Sequence, residues 1–446
     1  MLNPVVLPDP GALFGDYAFA KQSSVIAAVS GGGDSLALLF LLKDFLDTQA
    51  DAPALTAVTV DHALRPESAD EARFVAALCR SHGIAHKTML WRGEKPATGV
   101  SASARTARLD LLAQVALDAG AGLIFTGHTQ DDQAETVSMR ADRGAGRGGA
   151  GIAPATLHDG SVWFARPLLG LHRAALRDYL ASRDLRWIDD PTNDNPAYER
   201  VRVRKALDAE TARKLVHEAA DAAAERMALG ARAARLIDAH WRCVAPGLYR
   251  AETAFLDADD EPALLYALRV LAAMAGGAAQ LPAIEPSGRV LLRLRDGFCA
   301  TLSRAVLDLR SSGLYLHRER RNLPAMDRAA QPLLWDGRYR LGADAGVMIA
   351  PFGVLARDCL PETASVTPQD VLFAAQFAEP AFWEGETCLG PARNRMKDGG
   401  LRVPAPWAHL LPSFDMVLAQ ALIRLTGAKT VIASPSADHI QRRGLT

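Results

Sequence analysis

One short string in the chain has the composition of an anion cradle: Ser30-Gly31-Gly32-Gly33-Asp34-Ser35. It follows the strand-forming run Val25–Val29 and opens a helically spaced segment, Asp34–Phe45. Glycines let the backbone turn tightly and bring N–H groups against a phosphate, and a helix N-terminus adds partial positive charge. A plain turn with Asp34 or Ser35 capping the helix is the simpler alternative. The spacing fits neither the Gly-Lys-Ser/Thr ending of a P-loop nor the G-x-G-x-x-G dinucleotide fingerprint. A second polar group, Asp61-His62, ends the β-branched run Leu55–Val60. A third comprises His128, Asp131, Asp132 and Glu135. Asp131 and Glu135 are one helical turn apart and share a face, while Asp132 is rotated from it. Such a carboxylate pair can hold an ammonium group, coordinate Mg²⁺ or take a proton from an attacking amine. Acids also favour the first turn of any helix on electrostatic grounds. Arg105 and Arg108 lie three apart on one predicted helical face.

These groups need a scaffold that brings them together. From Ser24 to about Ala141, short apolar runs alternate with helical spacing. Predicted helices cover Glu67–Ser81, Ser101–Ala119 and Asp131–Met139, and predicted strands cover Lys87–Leu90 and Leu123–Thr126. Four β-α alternations imply an α/β fold with a parallel sheet covered on both faces. In such sheets ligands bind beyond the carboxyl ends of the strands, where the three polar groups collect. The glycine- and arginine-rich stretch Arg143–Gly151 breaks this pattern. Residues 209 to about 278 are Ala-rich with helical spacing. Val290–Arg321 is rich in arginine, and Leu302–Leu309 and Leu314–His317 flank a turn as in a hairpin. Residues 323–446 show short apolar runs with many prolines. The expected organisation is a catalytic domain over 20–208, a mainly helical domain over 209–322 and a smaller α+β domain over 323–446.

The glycine string resembles the pyrophosphate-binding loop of the N-type ATP pyrophosphatases, which have a Rossmann-like fold and activate an oxygen by adenylation. Further motifs narrow the resemblance. Val60-Asp61-His62-Ala63-Leu64-Arg65, Ala102–Leu112, Thr126–Thr136, Met139-Arg140, Arg166-Pro167-Leu168-Leu169 and Asp190-Pro191-Thr192-Asn193 resemble, in order, blocks of the tRNA(Ile)-lysidine synthetases. Thr129, Leu109, Ser101 and Val201 depart from the residues usual at those places.

The resemblance implies a carbon–nitrogen ligase. ATP adenylates O2 of the wobble cytidine (position 34) of the CAU-anticodon isoleucine tRNA, and free lysine then attacks C2. The products are lysidine, AMP and pyrophosphate, and codon reading changes from AUG to AUA. It implies ATP contacts at Ser30, Gly31, Gly32, Gly33, Asp34, Ser35, Asp61 and His62, with Mg²⁺ on Asp34. Asp34, Asp131, Glu135, Arg105 and His128 become the catalytic candidates, and Asp131 and Glu135 the lysine site. Arg143, Arg147, Arg200, Arg202, Arg204 and Lys205 are the expected tRNA phosphate contacts, joined by the arginines of Val290–Arg321.

Composition bounds the reading. The formal net charge is −1, so any polynucleotide must be held by local basic patches. The longest apolar run, Val270–Ala279, is too short for a membrane span, and the N-terminus lacks the basic start of a secretory signal. The 5 cysteines are odd in number and widely spaced, without CxxC, as in a reduced cytoplasmic chain with no disulfide framework. A sulphurtransferase of the same fold would need a cysteine pair or iron–sulfur ligands, and an amidotransferase a glutaminase module; the sequence offers neither. A homodimer is compatible with the sequence.

Overall fold

The computed structural model describes residues 7–64, 67–93, 95–96, 98–142, 144, 146–189, 195–327, 333–342, 347–359, 367–395 and 401–436. The chain divides into two compact units. The first is Met1–Arg226 with Pro412–Phe414 and Ile432–Thr446; the second is Met227–Leu411 with Asp415–Val431.

The first unit is built on β1 (Ser24–Ala28), α1 (Gly33–Asp47), β2 (Ala54–Asp61), α2 (Ser68–Ser81), β3 (Ala85–Leu90), α3 (Val100–Asp118), β4 (Leu123–Thr126), α4 (Gln130–Ala141), β5 (Ala155–His158) and β6 (Val162–Ala165). Strand order is β5-β6-β4-β1-β2-β3. The β1–β2, β2–β3, β1–β4 and β4–β6 pairs are parallel, and β5 runs antiparallel to β6. This is the expected α/β parallel-sheet domain. Because β2 and β4 leave β1 on opposite sides, the carboxyl ends of β1 and β4 border the topological switch point.

Burial explains the strand sequences. All five residues of β1 are buried, so the strand after Ser24 is an unbroken apolar run rather than alternating. On one face Ile26, Val58, Ile124 and Phe164 pack with Leu112 and Ala116 of α3. Phe125 has Phe14 and Tyr17 edge-on at 5.6 and 5.0 Å between ring centroids, and Phe19 stacked at 5.8 Å. Such aromatic pairs add roughly 0.5–1.5 kcal/mol each beyond area burial. Helix α1 is buried from Ser35 to Leu42, which is why its sequence shows little amphipathic contrast. After β6 come α5 (Arg173–Ala181) and α6 (Glu199–Ala206), then the long α7 (Ala209–His240).

The expected helical stretch is α7, of which the second unit holds the part from Met227 onward, and α8 (Glu261–Gly276). Between them lies a strand pair that the Ala-rich composition did not reveal: β7 (Trp241–Ala245) and β8 (Leu248–Ala251). Next come α9 (Ile284–Arg295), β9 (Ala300–Leu302), β10 (Ala305–Arg310) and β11 (Gly313–Arg318), the last two forming the expected hairpin. These strands make one antiparallel sheet, β7-β8-β11-β10-β9. Two three-stranded sheets follow. One joins β12 (Leu333–Trp335), β13 (Tyr339–Leu341) and β17 (Leu401–Arg402). The other joins β14 (Met348–Pro351), β15 (Pro380–Glu384) and β16 (Thr387–Pro391), with α10 (Gln369–Phe377) preceding β15.

An ionic network lies inside this unit. Asp336 accepts from Arg318 Nε at 3.0 Å and Arg338 Nε at 2.8 Å, with all three side chains at most 1% exposed. Arg338 also donates to Glu379 at 3.0 Å. Buried charges survive only when paired, and deleting one partner strands the others. Asp336→Ala is therefore expected to lower unfolding free energy by about 3–5 kcal/mol. Glu285→Ala, at the exposed Arg289–Glu285 pair, should cost less than about 1 kcal/mol. Denaturant midpoints of the two variants check the contrast.

Candidate active site

Val29 leaves β1 into the glycine loop. Gly31 takes φ +88°, and a Cβ there would meet Ile188 Cδ1 at 3.1 Å and Val75 Cγ2 at 3.3 Å. The Gly31 carbonyl accepts the Ile188 N–H at 2.9 Å, which ties the loop to the segment after α5. Ser35 is buried and shapes the turn from inside: its Oγ donates to the Gly32 carbonyl at 2.9 Å and accepts the Ser30 N–H at 3.1 Å. No side chain caps α1. Its first-turn amides have no intrahelical acceptor, so they form an anion site.

Beside the loop, a cavity of about 290 Å³ is lined by Ser30, Gly32, Val58, Asp61, His62 and Arg108, among others. It opens beyond β1 and β2 and is of a size for a nucleoside. His62 contributes a buried Nδ1 with no hydrogen-bond partner among the described residues. Burial, then Arg108, lowers the His62 pKa, so its imidazole is neutral at pH 7.

On the other side of α1's start, β4 delivers Gly127, whose Cβ would lie 2.8 Å from the Asp34 carbonyl. Only glycine permits that approach, and it brings α4 against the loop. Thr129, which departs from the family pattern, caps α4 in a capping box. Its Oγ accepts the Asp132 N–H at 3.3 Å, and Asp132 Oδ2 accepts the Thr129 N–H at 2.8 Å.

The acids converge on arginines. The Arg173 guanidinium lies 2.9 Å from Asp34, 3.1 Å from Asp132 and 3.6 Å from Glu135. Arg200 reaches Asp132 at 2.9 Å and Glu135 at 2.6 Å, and Arg204 reaches Glu135 at 2.6 Å. The Asp131 carboxylate accepts the Arg173 backbone N–H at 2.9 Å and keeps 35% of its side chain exposed. Burial raises the Asp34 pKa; Arg173 pulls it down, Asp132 and Asp131 push it up, and the net shift is upward. Burial also works against ionised Glu135, but hydrogen bonds from Arg204 and Arg200 outweigh it and hold the carboxyl below its ordinary value. His128 shares a 3.0 Å hydrogen bond with Thr126 Oγ. Burial, then Arg166, Arg108, Arg105 and Arg200, push its pKa well down, so the imidazole is neutral. Asp34 Oδ2 and Asp132 Oδ1 flank the same Arg173 guanidinium; two such carboxylate oxygens are donors a hard divalent cation takes, so the residues fit Mg²⁺.

The structure thus brings Asp34, Asp61, His62, His128, Asp131 and Glu135 to one end of one sheet. Arg105 and Arg108 face it from α3 without a carboxylate partner among the described residues, and burial, then the charge of Arg200, lowers the Arg105 pKa. Four expectations change. Glu135 is 2% exposed and taken by guanidinium groups, so it is not an open lysine site. Arg200 and Arg204, still partly exposed, are paired with those acids, because α6 docks this face on α4. Arg318, one of the arginines of Val290–Arg321, is buried against Asp336 and offers nothing to a polynucleotide. Arg202 donates to the Pro196 and Ala197 carbonyls. Arg147 lies in a short 3₁₀ turn, Gly146–Ala150, and Lys205 is exposed at the end of α6. Arg143, Arg65 and the block Asp190–Asn193 lie outside the described residues. Burial pushes the Cys79 thiol up to about 11, an inert group.

Sequence reasoning missed Arg173. Its signal was a cation at the first position of a helix, where the macrodipole disfavours one. It also passed over Arg166, buried with Nη1 on the Ala153 carbonyl at 2.8 Å and pushed down to about 10 by burial, hence still charged beside His128.

No helix among the described residues is long and apolar enough to cross a membrane. A family model described as a PP-loop domain matches residues 11–211. A tRNA(Ile)-lysidine synthase of Mesorhizobium japonicum is 47% identical, with 93% of this chain and 94% of the relative covered. One of Brucella melitensis biotype 2 is 40% identical over 93% and 96% of the two chains. With a relative this similar along nearly its whole length, and the glycine loop within the residues that the PP-loop model matches, the chain belongs to the tRNA(Ile)-lysidine synthase family.

Proposed function

We propose that this chain is an ATP-dependent ligase that joins free lysine to C2 of the wobble cytidine of the CAU-anticodon isoleucine tRNA. The observation that carries the reading is the amide cradle of α1 set between a nucleoside-sized cavity and a cluster of acids and arginines. A base is activated there and then attacked by an amine.

ATP lies with its base and ribose in the cavity by Asp61 and His62 and its phosphates on the amides at the start of α1. Asp34 and Asp132 would hold Mg²⁺, which would supply positive charge against the phosphates. Cytidine O2 attacks the α-phosphorus, the bond to pyrophosphate breaks, and the base carries AMP on O2. Neutral His128 and the uncommitted Arg105 and Arg108 face this product; a guanidinium suits its phosphate. Lysine enters by Asp131, the acid with exposed oxygens, which orients its amine and takes the proton as nitrogen bonds to C2. The C2–O2 bond breaks and AMP departs with the oxygen. Glu135 acts by holding Arg200 and Arg204 in place. Exposed cations, Lys205 and, in the second unit, Arg293, Arg320 and Arg321, supply the charge for tRNA phosphates that a net −1 does not.

Mass spectrometry of the anticodon nucleosides after incubation with ATP, Mg²⁺ and lysine tests the whole reading; lysidine is expected, and unchanged cytidine refutes it. Asp34→Ala should lower ATP–pyrophosphate exchange by roughly two orders of magnitude or more while circular dichroism stays that of the parent. Asp131→Asn should raise the lysine concentration for half-maximal rate roughly tenfold, the worth of one charge-assisted hydrogen bond, with adenylated tRNA accumulating. An unaltered lysine requirement moves the amine site elsewhere.

A further inference from the structure

Arg173 makes the largest set of contacts in the site, and the adenylation scheme above leaves it without a task. Its guanidinium joins Asp34 on the glycine loop to Asp132 and Glu135 on α4, and its backbone N–H holds Asp131. One residue therefore touches all four acids. The partners are not equivalent. Asp132 and Glu135 are also paired with Arg200, and Glu135 with Arg204. Asp34 has no cationic partner but Arg173 among the described residues. The side chain is 18% exposed, so the pair is largely out of bulk water and poorly screened.

The oxygens that Arg173 engages on Asp34 and Asp132 are those that fit Mg²⁺. A guanidinium and a divalent cation cannot share them, because two cations at that spacing repel. We propose that Arg173 is the resident counter-cation of the metal site. It holds Asp34 against α4 while the site is empty, yields those oxygens to Mg²⁺, and then turns its fork to the departing pyrophosphate. The inference rests on the nucleotide reading above. Backbone anchoring at Asp131 keeps the displaced side chain within the site, and the planar fork of five donors matches phosphate oxygens as an ammonium does not. Arg173 is in this account a positioning residue for the metal ligands first and a phosphate contact second.

The test uses the full chain with Mg²⁺ alone, free of nucleotide and tRNA, by calorimetric titration and thermal melting. Arg200 still reaches Asp132 Oδ1 at 2.9 Å, but with Asp34 Oδ2 freed of Arg173, Arg173→Gln should bind Mg²⁺ roughly tenfold tighter than the parent. Its melting temperature should fall in chelator and rise with Mg²⁺ by more than the parent's does. At saturating Mg²⁺ its ATP–pyrophosphate exchange should still be at least about tenfold slower, with partial recovery in Arg173→Lys. Equal or weaker Mg²⁺ binding by Arg173→Gln overturns the counter-cation role, and a parental exchange rate at saturation overturns the pyrophosphate role. Should Arg173→Gln not fold, the Arg173 Nε–H resonance of the parent, assigned through Arg173→Lys, decides: it should move on Mg²⁺ addition, and a fixed resonance overturns the proposal. Absence of lysidine in the parent would refute the tRNA reading while leaving these Mg²⁺ measurements interpretable.

Discussion

Four carboxylates crowd the switch point of the first unit's sheet, and the guanidinium groups that neutralise them hold the site together. Asp34 comes from the loop after β1, and Asp131, Asp132 and Glu135 from α4. Left alone they would repel and force the two helix starts apart. Arg173 from α5 and Arg200 and Arg204 from α6 close that gap at 2.6–3.6 Å. Elements distant in sequence are thus fastened to the glycine loop by the charges of the proposed site.

Backbone geometry makes the crowding feasible. Gly31 adopts a left-handed conformation that favours glycine and would crowd a Cβ against Ile188 and Val75, and Gly127 lets β4's exit touch the Asp34 carbonyl. The first lets α1 present its amides. The second sets the distance between Asp34 and the acids of α4. Thr129 and Asp132 then fix the start of α4 by mutual capping, leaving Asp132 Oδ1 free to face the arginines. One acid serves the helix and the site with different oxygens.

The second unit uses similar chemistry for another end. Its arginines at 318 and 338 are consumed by Asp336 and Glu379 in the interior. Arg320, two residues on, lies exposed over the rings of Phe373 and Phe377 at 5.9 and 5.7 Å. An arginine count along the chain therefore says little about a polynucleotide-binding face, because pairing and burial decide which cations remain available.

The sequence by itself determined what is local. Apolar strands alternating with helical spacing marked a parallel α/β sheet, the glycine string marked the loop before an uncapped helix start, and the strand-end polar residues marked the lining of the cavity beside it. Each of these depends on neighbours in the chain: a period of two or 3.6, a turn that needs glycine, a helix start with free amides. Tertiary structure decided the rest. Whether Glu135 met lysine or arginine depended on how α6 docks, seventy residues downstream. Whether Arg318 met solvent or Asp336 depended on a sheet whose strands β7 and β8 lie inside an Ala-rich stretch. Arg173 left only a faint local mark, a cation at the wrong end of a helix, because its partners are brought to it by three separate chain segments. Charge pairing acts through space, and no spacing along the chain records it.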